Sequence, residues 1–127
     1  MSTRIEISFH GPYFNAARRR IALHRMIKGI AEDVTAYAER MVHLNNRAFK
    51  RPTGYYDSRV HSENRDDGGH VTDSGVIYGP WLEGTSDRNR TTRFKGYAMF
   101  RRATQTTDRE VRRLARPHVD RFIRELS

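Results

Sequence analysis

Six histidines, 15 carboxylates and no cysteine bound the chemistry open to this 127-residue chain. Without cysteine there is no disulfide, no thiolate zinc site and no thiol nucleophile. His10, His24, His43, His61, His70 and His118 are nowhere four residues apart, so no two can ligate a metal from successive turns of one helix. The most metal-like set, His61, His70 and Asp73, would have to converge across a hairpin, and solvated histidines are the plainer reading. Glu32-Asp33 and Asp66-Asp67 are adjacent carboxylates. Neighbours on a helix or turn point in different directions, so neither couple makes a general acid–base pair. No HExxH, no Gly-x-Ser-x-Gly elbow and no glycine-rich phosphate loop occurs. An enzyme is not expected, nor is a metal or cofactor.

Positive charge is what the chain has in surplus, at a net +9. Residues 1–50 carry 9 Lys/Arg against 4 Asp/Glu, residues 51–85 carry 3 against 6, and residues 86–127 carry 12 against 5. An acidic middle between basic ends suits head-to-tail pairing of copies, and equally a basic face for nucleic acid. Only 36% of residues are hydrophobic and 31% are charged, so one modest core is expected, with burial completed against partners. No apolar run has the length of a membrane span, and Met1-Ser2-Thr3-Arg4 lacks the apolar core of a signal peptide. A soluble protein made in the cytosol, with no membrane partner, is the expectation.

The elements that must position these groups follow from periodicity. Ile5, Ile7 and Phe9 alternate with polar residues, which predicts a strand over 3–9, ended by Gly11-Pro12. Leu23, Ile27, Ile30, Val34, Tyr37, Met41 and Leu44 step by 4 and 3, which predicts a helix over 14–48, with Asn15 as its cap and Gly29 marking close packing. Pro52-Thr53-Gly54 breaks it. A β-hairpin region is predicted over 55–83: an exposed or edge strand from Tyr55 to Glu63, a turn at Asn64–Gly69, and strands at His70–Thr72 and Val76–Glu83. Residues 86–95 read as a mobile Arg-rich loop. The helical period returns over 97–126, as one helix or as pieces broken near Thr106–Asp108 or at Pro117. The whole is a single α+β domain: a small antiparallel sheet packed by a long N-terminal helix, with a long or broken basic C-terminal helix.

Within it, Arg18-Arg19-Arg20 and the terminal-helix residues Arg109, Arg113 and Arg116 are candidates for a DNA contact. Arg102, Arg109, Arg113 and Arg116 are read as one face, with Arg101, Arg112 and Arg121 scattered. No DNA-reading motif accompanies them. Trp81 is a core or interface tryptophan. Glu83 reads as an exposed strand end or as the charge partner of a loop arginine on an adjacent subunit.

The run from Val76 to Thr85 resembles the signature of the tail-completion (neck, or head-to-tail connector) proteins of long-tailed bacteriophages. Tyr78, Gly79, Trp81, Glu83, Gly84 and Thr85 carry the match. Arg93-Phe94-Lys95-Gly96-Tyr97 is similar to the continuation in members from actinobacterial phages, and the likeness covers roughly residues 54 to 126. It implies a structural virion protein of the neck or proximal tail. Six copies would form a ring joining the head-side connector or stopper to the tail tube or terminator, with genomic DNA passing through. It points to Tyr78, Trp81, Glu83, Arg88, Arg90, Arg93, Phe94 and Lys95 as subunit or partner contacts. A tail terminator is the nearest alternative within the class; a small basic nucleic-acid-binding protein is the alternative outside it.

Overall fold

The computed structural model describes residues 3–8, 20–50 and 52–126. The expectations for Phe9, Gly11-Pro12, Asn15, Arg18 and Arg19 lie outside that set. The order of elements is β1 (Arg4–Ser8), α1 (Arg20–Asn46), α2 (Tyr55–Arg59), β2 (His61–Arg65), β3 (Gly68–Thr72), α3 (Gly79–Glu83), α4 (Asp87–Thr91) and α5 (Met99–Leu126). The fold is α+β, with a three-stranded antiparallel sheet ordered β1-β3-β2.

In β1, Ile5 and Ile7 face the core while Arg4, Glu6 and Ser8 face solvent. Their register partners on β3 are Val71 and Gly69. β2 and β3 form a hairpin across Asp66-Asp67. β2 is an edge strand, but it shares only His61–Glu63 with the edge strand expected over Tyr55–Glu63. On the solvent face Arg65 bridges Glu6 and Asp67 (2.6 and 3.1 Å).

α1 lies across the other face. Its buried residues are Ile27, Ile30, Ala31, Val34, Thr35, Ala38, Val42 and Asn46. The face therefore turns, toward the C-terminus, onto small residues rather than onto Met41 and Leu44. That lets the helix approach the sheet: a Cβ on Gly69 would collide with Thr35. α5 runs antiparallel to α1, held by Asn45 Nδ2 to the Met99 carbonyl (2.9 Å), His118 to Asp33 (2.6 Å) and Arg25 to Glu125 (2.7 Å). Gly29 does mark close packing, for a Cβ there would overlap the His118 ring. α5 is unbroken from Met99 to Leu126, with Pro117 exposed within it.

Three expectations are corrected. The turn expected over Asn64–Gly69 is only Asp66-Asp67, because Asn64 and Arg65 pair with Gly69 and Gly68 in the ladder. Tyr55–Arg59 is a helical turn, entered from Gly54 in the left-handed region (φ 84°) and left through an extended Val60. Val76–Glu83 is not a strand. Gly79–Glu83 is a turn of helix with proline in its first turn, where an N–H would have no helical partner. Gly84 (φ 107°) ends it. The core joins Ile5, Ala38, Val42, Tyr56, Val60, Val71, Met99, Phe100 and Ala103.

Candidate functional site

The stretch singled out in the sequence closes on itself. Tyr97 N–H donates to the Leu82 carbonyl (2.6 Å) and Ala98 N–H to that of Glu83 (3.1 Å), so residues 84–96 leave and rejoin the body at one point. Gly84 and Gly96 cross there, both at positive φ, and a Cβ on either would strike the other strand's backbone. The expected loop contains α4, started by a capping box at Ser86. Buried Asn89 pins it, donating to the carbonyls of Trp81 and Phe94 (both 3.1 Å) and accepting from Ser86 N–H.

This lobe sorts the expected contact residues. Trp81 packs on Phe94 (ring centroids 4.9 Å), and the Arg88 guanidinium stands 5.0 Å from the Trp81 ring centroid. Lys95 Nζ donates to the Asn89 and Arg90 carbonyls. Arg90 pairs with Asp87. Arg93 is exposed and makes no ion pair among the described residues. Glu83 is not an exposed strand end: it is 8% exposed, and its carboxylate accepts from the N–H groups of Phe100 and Arg101 (2.8 and 2.9 Å). It is spent on the start of α5, not left for another subunit.

Rings continue from the lobe into the body: Phe94–Tyr97–Phe49–Tyr56–Tyr78, with successive centroids 5.0, 4.9, 5.9 and 6.0 Å apart. Phe49, Tyr56, Tyr78, Leu82 and Tyr97 line a groove of about 990 Å3, with His43, Asn46, Arg47, Lys50 and Asp57 also on its walls. Tyr78 is 43% exposed, and Ile77 beside it is 96% exposed. Sequence reasoning missed this groove. Its aromatics come from three separate segments, and the one local hint was Phe49 followed closely by Tyr55-Tyr56.

On the groove wall Asp57 accepts from Asn46 Nδ2 and lies against His43 Nδ1, both at 2.7 Å. Partial burial works to raise its carboxyl, but the Asn46 and His43 hydrogen bonds, with the charges of His43 and Arg47, outweigh that and hold it below the ordinary carboxylate range. A histidine oriented by a carboxylate can act as a base. Here the other His43 nitrogen stands 3.6 Å from Glu39, and among the described residues the ring bonds to no hydroxyl nucleophile. Behind the groove, the Tyr56 hydroxyl donates to fully buried Asp73 (2.9 Å), which also accepts from Gly75 N–H (3.0 Å). Burial first, then the Asp73 charge, drives the Tyr56 phenol far above its ordinary range.

Asp73 therefore does not meet His61 and His70, which both turn to Glu63 (3.4 and 3.5 Å). Among the described residues no group of three or more His, Asp or Glu is arranged to hold a metal, and no helix is long and apolar enough to cross a membrane.

Of the basic candidates, Arg20 is exposed at the start of α1, and Arg109 and Arg116 are exposed on α5. Arg113 is taken up by Glu110 and stands 5.9 Å over Tyr37. Burial of Met99, Phe100, Ala103 and Thr107 fixes the inward side of α5. This reassigns two arginines: Arg101 and Arg112 lie opposite that side, with Arg109 and Arg116, and are not scattered.

Neither the protein-family models nor the curated proteins nor the solved structures contain a match to this chain.

Proposed function

We propose that the chain is a structural subunit of the neck or proximal tail of a long-tailed phage, forming a ring that joins the head connector to the tail tube. The observation that carries this reading is the aromatic groove, with Tyr78 on its wall still 43% exposed. An isolated exposed apolar residue needs no explanation, but apolar side chains gathered around one groove are what a partner covers. The closed lobe is built from the segment that resembles the tail-completion signature, and the same segment brings Tyr78, Leu82 and Tyr97 to the groove. On this reading function is shape and charge complementarity, and no bond is made or broken.

The test is to image intact particles of the encoding phage with this chain labelled. Density at the head–tail joint is expected. Density at the far end of a free tube would make the chain a terminator. Absence from particles, together with a purified chain that stays monomeric when mixed with tail-tube protein, would overturn the proposal.

A further inference from the structure

The outer side of α5 carries a ridge of arginines that the fold does not use. At about 100° per residue, Arg101, Arg102, Arg109, Arg112 and Arg116 fall within roughly 100° of arc. All five are exposed. None makes an ion pair among the described residues, in contrast to Arg113 and Arg121, which hold Glu110 and Glu125. Arg109 reaches only the Thr106 hydroxyl, at 3.5 Å. Asp108, at the edge of the arc, is the one carboxylate over this span of the face.

We infer that this face of α5 binds the phosphate backbone of duplex nucleic acid without reading its sequence. The ridge extends about 22 Å at ~1.5 Å per residue. One strand of a duplex presents roughly six phosphates over that length, commensurate with five rigidly spaced guanidinium groups. Exposed side chains between Arg101 and Arg116 are all polar or charged. A protein partner would need apolar anchors at the centre of its contact, and a single strand would need aromatic platforms for its bases. The face offers neither, whereas phosphate neutralisation needs only the cations. The ridge would hold a duplex whether or not the chain builds a phage neck.

Fluorescence anisotropy with two labelled 30-base-pair duplexes of unrelated sequence tests this, run against salt. Equal affinities are expected for the two, with a log–log salt slope of about −4, near −0.9 per phosphate. The triple variant Arg109→Gln, Arg112→Gln, Arg116→Gln should reduce the slope by about 2–3 and weaken binding at least roughly tenfold at 0.1 M salt. The control Arg121→Gln, on the other side of the helix and paired with Glu125, should leave both nearly unchanged, and circular dichroism checks that both variants fold. A triple variant that binds like the parent overturns the inference. So does a sequence preference, tighter binding to the matching single strand, or equal binding to polyglutamate.

Discussion

Glu83 and Phe100 are 17 residues apart in sequence, yet the carboxylate of the first accepts the backbone N–H of the second at 2.8 Å. With the Arg101 N–H at 2.9 Å, a buried acid from α3 caps the first turn of α5. An anion there meets both unpaired amides and the positive end of the helix dipole.

Removing that cap should therefore be costly. Glu83→Ala is expected to destabilise the protein by about 2–3 kcal/mol, as charged hydrogen bonds to orphan amides are lost. Glu83→Gln should lose less, because its amide oxygen still accepts one N–H. Urea unfolding of the three proteins, read by circular dichroism, checks the order. Equal midpoints would remove the cap from the account.

A second test concerns the crowding between Gly79 and Asp73. A Cβ at residue 79 would overlap the Asp73 carboxylate, which the Tyr56 hydroxyl holds in place. Gly79→Ala should cost about 2–3 kcal/mol, and Tyr56→Phe about 1–3 kcal/mol through the acceptor it leaves short. Combined, they should cost less than the sum, since an untied Asp73 can move aside. A double-mutant cycle from unfolding curves measures this, and strict additivity would contradict it.

Among the described residues, the buried Thr107 hydroxyl has no hydrogen-bond partner. Thr107→Val keeps the shape and removes that defect, so stability should rise by about 1 kcal/mol, with Tm up by about 3–5 °C. Thr104→Val should bring no such gain, because its hydroxyl donates to the Phe100 carbonyl at 2.9 Å. Differential scanning calorimetry of the two variants decides.

Stability should fall at both ends of the pH scale. The Asp57 carboxyl is held below its ordinary range, so its contribution is present above about pH 4 and is lost as pH falls through the lower folded value. The Tyr56 phenol is held above its ordinary range, so its contribution is present below about pH 10 and is lost as pH rises beyond that. Denaturation midpoints at pH 3, 7 and 11 check both arms. Asp57→Asn should flatten the acid arm and Tyr56→Phe the alkaline one.

The two long helices and β1 were legible in the sequence because their periods run over whole elements, whereas the β2–β3 hairpin was legible only as a turn near Asp66-Asp67, its strands being too polar to mark their bounds. Gly29 was legible as a close approach, since a glycine inside a helix has few other uses. Val76–Glu83 was misread because β-branched Val76 and Ile77 outweighed the Pro80 and Gly84 that bracket a short helix. Glu83 looked like a surface end because its partners lie 17 and 18 residues downstream. The groove needed Phe49, Tyr56, Tyr78 and Tyr97 to meet, which local pattern does not encode. Arg101 and Arg112 looked scattered until Ala103 and Thr107 fixed which side of α5 faces in.

The crossing of Gly84 and Gly96 has an architectural consequence. A segment whose two ends touch can grow without moving what it is attached to, since each doubling of its length adds only about 0.6 kcal/mol of closure entropy. The tip near Arg90 and Arg93 is thus a socket for inserted sequence. Cargo spliced there would be carried outside the body, leaving the sheet and both long helices as they are.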